Sequence, residues 1–175
     1  MKIEGCRAGV HDSWKDHHVP GKLYAVDPHI ANDWSHQDPD HTIDALRANL
    51  RAAGLSQRVE IIRKTTSEAV ADLPTRIDFA FIDGDHSFEG VKTDWEIVKS
   101  RLSPWAVVVF HDTLWEIHRG NAAYDNLRNE KMGVPAFLES LRDEGYPLIT
   151  IDADYGLTLV QAAKGSASLV ERARA

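Results

Sequence analysis

The segment IDFAFIDGDHSFEGVKTDWEIVKSRLSPWAVVVFHDT, residues 77–113, contains two apolar strand-like runs separated by a helix-like one. IDFAFI (77–82) and WAVVVF (105–110) are apolar almost throughout, a pattern typical of strands buried on both faces of a parallel sheet. Between Ser87, a candidate helix cap, and Pro104, apolar residues recur every three or four positions and predict one buried helix face. This order favours a parallel sheet covered by helices.

The same alternation precedes this segment. The runs KLYAVD (22–27) and RVEII (58–62) predict two earlier strands, because both are rich in residues that favour extended backbone. Apolar residues at helical spacing predict a helix between them, which Gly54 ends. A second, short helix is expected over Thr66–Leu73, where Pro74 stops it.

The alternation also continues towards the carboxyl terminus. Pro135 suits the first turn of a helix. The runs 146–151 and 157–160 are joined by a short polar turn, which predicts an antiparallel hairpin. We therefore expect a single domain over residues 1–163, with a flexible tail over residues 164–175.

Composition narrows the class of protein. The chain has 175 residues, of which 43% are hydrophobic and 27% charged, as in an ordinary globular domain. A formal net charge of −7 disfavours binding to nucleic acid or to anionic lipid. No apolar run is long enough to suggest a membrane helix or a signal peptide, and the single cysteine, Cys6, suits a reducing compartment. We expect a cytoplasmic protein with no membrane partner.

Acidic residues and histidines follow both central strands. DGDH, with Asp83 and His86, follows the first strand, and His111 and Asp112 follow the second. If the strands are neighbours, these side chains converge on one site at the carboxyl edge of the sheet. Clustered carboxylates repel one another unless a cation neutralises them, so we predict a divalent metal held by Asp83, Asp112 and His111. His86 would then lie beside it as a candidate general base.

A purely structural interpretation of these residues stays open. Asp83 and Asp85 could form a solvated turn that caps the next helix. His111 could orient its loop by hydrogen bonding. The occurrence of acid-plus-histidine chemistry at two strand ends favours the functional interpretation.

Two weaker signals lie nearer the amino terminus. Gly5 and Gly9 are four residues apart, and glycines permit the close backbone approach that a nucleotide-like ligand needs. Asp27 ends a predicted strand roughly 20 residues later, where a carboxylate can accept both hydroxyls of a ribose. An ordinary glycine turn and an Asp-Pro turn are the alternatives.

These motifs together resemble the class I S-adenosylmethionine-dependent methyltransferases, specifically methyltransferase family 24. The resemblance is carried by residues 77–113, with DGDHSFEG and FHDT in order, by YAVDPH (24–29) and by the helix and hairpin over 133–160. It implies a Rossmann-like, doubly wound, mostly parallel seven-stranded α/β sheet with a carboxyl-terminal antiparallel hairpin. Compared with the family, the first β–α unit is shortened and has few apolar residues.

The resemblance also implies a cofactor, S-adenosylmethionine, and residues that bind it. By position in the family motifs these are Gly5, Gly9, Asp27, Thr66, Ser67 and Asp83.

The activity implied is transfer of a methyl group to a small-molecule or sugar hydroxyl. In the metal-dependent O-methyltransferases that the family resembles, the positions of Asp83, His111 and Asp112 bind a divalent ion such as Mg²⁺. The ion would lower the pKa of the acceptor hydroxyl, and His86 or His111 would remove its proton.

Two other functions remain open on the sequence. The unusual first unit favours a non-catalytic or partner-completed protein that binds nucleosides. The acid–histidine residues would also suit a metal-dependent hydrolase. Five tryptophans and the exposed amino-terminal edge are compatible with a homodimer.

Overall fold

A computed structural model describes residues 21–30, 39–114, 132–153 and 155–163. Within these ranges the chain forms six strands and three helices in alternating order. They are β1 (Leu23–Val26), α1 (Pro39–Ala52), β2 (Val59–Ile62), β3 (Ile77–Ile82), α2 (Phe88–Lys99), β4 (Leu102–Phe110), α3 (Val134–Asp143), β5 (Leu148–Ile151) and β6 (Leu157–Gln161).

The chain divides into two compact units, residues 1–73 and 74–175. In the first unit, β1 and β2 pair in parallel, with Val26 opposite Ile62. These two side chains pack with Ala69, which is fully buried. The expected single domain over 1–163 and the flexible tail stay predictions.

In the second unit the sheet has the order β3-β4-β6-β5. β3 and β4 are parallel, as expected for neighbours in a doubly wound sheet. β6 runs antiparallel to both β4 and β5, so the predicted terminal hairpin is present. The mixed α/β, Rossmann-like architecture is the one expected. Six of the seven strands that the resemblance implies are among the described residues, and the shortened first β–α unit lies outside them.

The core of the second unit forms where α2 and α3 cover one face of this sheet. Trp95 of α2 is 1% exposed and its ring contacts the rings of Phe110 and Tyr146, with centroids 5.9 and 5.2 Å apart. α3 contributes Phe137 and Leu141 to the same cluster. Burial of these side chains contributes to the stability of this unit by removing apolar surface from water.

The prediction that both central strands are buried on both faces is confirmed only at the end of β4, where the successive residues Val108, Val109 and Phe110 are all buried. Phe79 is 60% exposed and Trp105 is 63% exposed, although Ala80 and Val108 are buried. Side chains alternate along a strand, and α2 and α3 pack only against the face that carries Ala80 and Val108. An apolar sequence therefore marks the strand without showing that both its faces are covered.

The end of one helix and the existence of another also differ from the prediction. α2 ends at Lys99, and Pro104 lies inside β4, where the register with β3 shifts after Ile77. An irregular ladder tolerates proline because fewer donors are needed there. Thr66–Leu73 forms successive turns instead of a helix. Thr65 starts them, since its backbone N–H and hydroxyl both donate to the carboxylate of Glu68.

We predict that Trp95→Ala lowers the free energy of unfolding by about 3–5 kcal/mol, because it removes a large side chain from the packed core. Urea unfolding followed by circular dichroism measures the loss. Trp105→Ala is the matched control, since its exposed indole leaves no comparable cavity and the change should be below about 1 kcal/mol. Equal losses in the two variants would contradict the assigned core.

Candidate functional site

The candidate site lies at the carboxyl ends of β3 and β4. Ile82 and Phe110 are opposite each other in the parallel pair, and the backbone N–H of His111 donates to the Ile82 carbonyl at 3.2 Å. Asp83 and Asp112 follow these strands and leave the sheet side by side. The structure thus brings together the four residues expected here: Asp83, His86, His111 and Asp112.

Two imidazoles bridge two carboxylates in this group. His86 Nε2 is 3.1 Å from Asp112 Oδ2 and 3.4 Å from Asp83 Oδ1. His111 Nδ1 is 3.1 Å from Asp83 Oδ1 and 3.4 Å from Asp112 Oδ1. The carboxylates are the more buried partners, with side-chain exposures of 12% for Asp83 and 7% for Asp112. Each histidine is therefore within reach of both acids.

The histidines determine the ionisation of Asp83. Burial alone would raise the pKa of this carboxyl group, but hydrogen bonds from His111 and His86 and their positive charge outweigh it. The net effect holds the pKa of Asp83 well below its usual range. Asp83 is therefore a carboxylate, ready to bind a cation, across the physiological pH range.

Hydrogen bonds within the DGDH turn position His86. The Ser87 backbone N–H donates to Asp85 Oδ1 at 2.9 Å, and Ser87 Oγ caps α2 by accepting from the Gly90 N–H at 3.0 Å. The Asp85 carboxylate therefore stabilises the turn, which is the structural role that the sequence analysis left open for it. Asp83, three residues from His86, instead faces the histidines.

A glycine from a distant part of the chain supports the same turn. The Gly133 backbone N–H donates to the His86 carbonyl at 2.7 Å. A Cβ atom at Gly133 would collide with the backbone of Ser87 and Phe88. Only glycine allows this approach, so Gly133, which caps α3, also holds His86 in place.

The loop after β4 is supported in a similar way by the β5–β6 turn. The N–H of Thr113 donates to the Gly156 carbonyl at 3.3 Å, and the N–H of Leu114 donates to the Tyr155 carbonyl at 2.7 Å. Asp112 has a left-handed backbone, with φ of 56°. This conformation costs energy for most residues and is retained only where the surroundings impose it. Gly156 itself has φ of 97°.

Gly133 and Gly156 are the positions that sequence reasoning missed. Their signals are GVP before a helix and YG in a hairpin turn, which mark local turns. Neither pattern reveals which other segment the glycine contacts, since that depends on the tertiary fold.

In the first unit, Asp27 and His29 form a turn at the end of β1. Asp27 Oδ1 accepts from the His29 N–H at 2.6 Å, so the Asp-Pro turn considered for Asp27 is present. His29 is buried with φ of 47°, and its Nδ1 lies 3.0 Å from Thr42 Oγ1. The Arg63 guanidinium donates to the His29 carbonyl at 3.4 Å. The carboxylate of Asp27 is therefore held by a firmly anchored turn.

Of the other residues expected to bind the cofactor, two lie in a turn of the first unit and two lie outside the described residues. Thr66 and Ser67 lie in the turn that Thr65 and Glu68 stabilise, with Thr66 half-buried and Ser67 exposed. Gly5 and Gly9 lie outside the described residues.

The donor atoms of the candidate site suit a divalent cation. One ligand atom each from Asp83, His86 and Asp112 lies within 4.8 Å of the others. Two carboxylate oxygens and an imidazole nitrogen are ordinary ligands for divalent metals, and the two negative charges would balance such an ion.

A surface depression of about 340 Å³ lies at the other end of the second unit's sheet, near the start of β4. Arg76, Arg101 and Trp105 are among its lining residues. None of the described residues of the candidate site lines it.

In the portions of the chain that the structure describes, no helix is long and apolar enough to cross a membrane.

Solved structures with the same fold come from several bacteria. A protein from Corynebacterium glutamicum is 21% identical, with a TM-score of 0.59 over 84% of this chain and 63% of its own. The O-methyltransferase TomG of Streptomyces achromogenes, involved in tomaymycin synthesis and solved with S-adenosylmethionine, is 17% identical, with a TM-score of 0.58 over 81% and 61%. The O-methyltransferase of Bacillus cereus, solved with S-adenosylhomocysteine, is 18% identical, with a TM-score of 0.55 over 81% and 63%. This chain thus spans somewhat over three fifths of each, and at these identities the likeness establishes the fold.

Sequence comparison adds the family. The uncharacterized protein y4gI of Sinorhizobium fredii is 43% identical over 54 residues, which make up 30% of this chain and 6% of that protein. A family model described as a methyltransferase domain matches residues 8–113, more than half of this chain. The chain therefore belongs to methyltransferase family 24, as the motifs around the two central strands indicated.

Proposed function

We propose that the protein is an S-adenosylmethionine-dependent O-methyltransferase that acts on a small-molecule or sugar hydroxyl. The observation that carries the proposal is the buried Asp83–Asp112 pair bridged by two histidines at the carboxyl ends of β3 and β4. In open α/β sheets this edge is where ligands bind. Membership of a methyltransferase family and the fold shared with O-methyltransferases support the choice of reaction.

The cofactor would be held mainly by residues at strand ends. S-adenosylmethionine, when bound, supplies the electrophilic methyl group of its sulfonium. Asp27, fixed in its turn by the His29 N–H, would accept hydrogen bonds from the ribose hydroxyls. The family resemblance assigns the remaining contacts to Gly5, Gly9, Thr66, Ser67 and Asp83.

The acceptor hydroxyl would be activated by the acid–histidine group. A divalent cation, when bound, would polarise the hydroxyl and lower its pKa. The residues proposed from the sequence to hold it are Asp83, His111 and Asp112, and His86 also presents a suitable nitrogen. His86 or His111 would accept the hydroxyl proton on a ring nitrogen.

The same residues would also suit a metal-dependent hydrolase, because two carboxylates and a histidine recur in metal-assisted hydrolysis. The two functions differ in their ligands. Binding of a divalent cation by a folded chain that does not bind S-adenosylhomocysteine would favour the hydrolase.

We further propose a cytoplasmic protein with neither nucleic-acid nor membrane partners, and the homodimer remains a proposal.

The first test is calorimetric titration with S-adenosylhomocysteine, which needs no known acceptor. We expect micromolar binding by the wild-type protein. Asp27→Asn should weaken binding at least about tenfold, because it keeps an oxygen for the His29 N–H but removes the charge that strengthens the ribose hydrogen bonds.

The matched control for this test is Asp44→Asn in α1, where an exposed carboxylate pairs with Arg47 of the same helix. It should bind like the wild type. Unchanged binding by Asp27→Asn would rule out the ribose role of Asp27, and absence of binding by the folded wild-type chain would contradict the proposed function.

For the cation, we predict that Asp112→Asn weakens binding of Mn²⁺ at least about tenfold, since it removes a carboxylate that faces both histidines. Calorimetric titration with MnCl₂ measures the change. Asp85→Asn serves as the control, because an asparagine oxygen can still accept from the Ser87 N–H in the turn. Equal affinities in the two variants would place the cation elsewhere.

A further inference from the structure

His86 occupies a position in the acid pair that suits a ligand better than a free base. We infer that His86 supplies the nitrogen ligand of the divalent-cation site, so that the site prefers Mn²⁺ and Co²⁺ to Mg²⁺. The inference deepens the proposed function and rests on it for the presence of a cation. It assigns to His86 the ligand position that the sequence suggested for His111.

The first support is the set of atoms that come together. The group with ligand atoms within 4.8 Å of one another comprises Asp83, His86 and Asp112. His86 Nε2 reaches both carboxylates, at 3.1 and 3.4 Å, through different oxygens on the two residues: Oδ2 of Asp112 and Oδ1 of Asp83. A cation that binds both acids at this point would also meet the His86 nitrogen.

His111 is better suited to support the carboxylates. The two histidines lie at the same distances from the acids, so distance alone does not separate them, but the group of ligand atoms within 4.8 Å of one another among the described residues includes His86 and not His111. His111 Nδ1 lies 3.1 Å from Asp83 Oδ1, where the ring can donate a hydrogen bond to the carboxylate. Metal-binding carboxylates are commonly held by such hydrogen bonds from residues that do not themselves touch the metal. The His111 ring is also more enclosed than that of His86, with a side-chain exposure of 17% against 28%. A cation from solvent therefore reaches His86 more easily.

The backbone holds His86 in this position before any cation binds. The Gly133 N–H fixes its carbonyl, and Ser87 and Asp85 fix the turn that follows it. A ligand that is already in place loses little conformational entropy on binding. The imidazole of His86 is therefore already positioned beside the two acids before a cation binds.

An imidazole ligand changes which cations the site prefers. Mg²⁺ favours oxygen ligands and retains bound water, whereas imidazole nitrogen suits the first-row transition metals. Affinity for those metals rises from Mn²⁺ to Co²⁺ in sites of mixed nitrogen and oxygen ligands. Replacing the nitrogen by an amide oxygen should therefore reduce the difference between Mg²⁺ and Co²⁺.

The experiment titrates the wild-type chain, His86→Gln and His111→Gln with MgCl₂, MnCl₂ and CoCl₂ by calorimetry. Circular dichroism checks that each variant is folded. We expect the wild type to bind Co²⁺ at least about tenfold more tightly than Mg²⁺. His86→Gln should lose most of this preference while it still binds Mg²⁺, and His111→Gln should retain the preference with weaker binding of all three ions.

A measurement on the wild-type chain tests for a nitrogen ligand without any variant, and the variants then identify which histidine supplies it. Pulsed electron paramagnetic resonance of the Mn²⁺-loaded protein detects nitrogen nuclei bonded to the metal. We expect a ¹⁴N coupling from one imidazole. Absence of ¹⁴N coupling, equal affinities for Co²⁺ and Mg²⁺, or loss of the preference in His111→Gln alone would each overturn the inference.

Failure of this inference can be distinguished from failure of the proposed function. The same preparations are titrated with S-adenosylhomocysteine. A chain that binds this nucleoside but shows no preference among the cations retains the proposed methyl transfer and loses the role of His86. A chain that binds no S-adenosylhomocysteine but shows the nitrogen-dependent preference retains the cation site and loses the proposed reaction.

Discussion

The parallel pairing of β3 with β4 is the constraint on which the candidate site depends. Ile82 lies opposite Phe110, and the hydrogen bond from His111 to the Ile82 carbonyl continues the ladder one residue past the strand. This register places Asp83 and Asp112 close enough for one imidazole to reach both. A shift by one residue would reverse the faces of the strand and separate the acids. Burial of Val108 and Phe110 under the helices opposes such a shift, and it therefore also determines the positions of Asp83 and Asp112.

Two neighbouring carboxylates in a largely buried position would destabilise the fold if nothing compensated them. Here the imidazoles of His86 and His111 contact both acids, and the pKa of Asp83 stays low despite its burial. The compensation comes from imidazole side chains, whose ring nitrogens can bind either a proton or a cation. The two histidines that stabilise the carboxylates are thus also able to take part in proton transfer or cation binding.

The sequence predicted the strands, the hairpin and the clustering of acid–histidine motifs, because these depend on local apolar patterns and on strand order. Prediction from the sequence was less accurate for features that depend on contacts between segments distant in the chain. Pro104 suggested the end of a helix but lies in an irregular part of β4, and Phe79 suggested burial but is exposed. The contacts of Gly133 and Gly156 could not be predicted, since a glycine gives no sign of which distant backbone it approaches.

Those two glycines have a consequence for the order in which the site is assembled. During synthesis the chain emerges from its amino terminus, so the acids and histidines leave the ribosome before Gly133 and Gly156 do. The turn at His86 gains its hydrogen bond from Gly133 only when the start of α3 has been made, and the loop at Asp112 gains its hydrogen bonds to the β5–β6 turn only when the hairpin has formed. A nascent chain that ends before the hairpin therefore carries all four chemical groups without the complete backbone scaffold that arranges them.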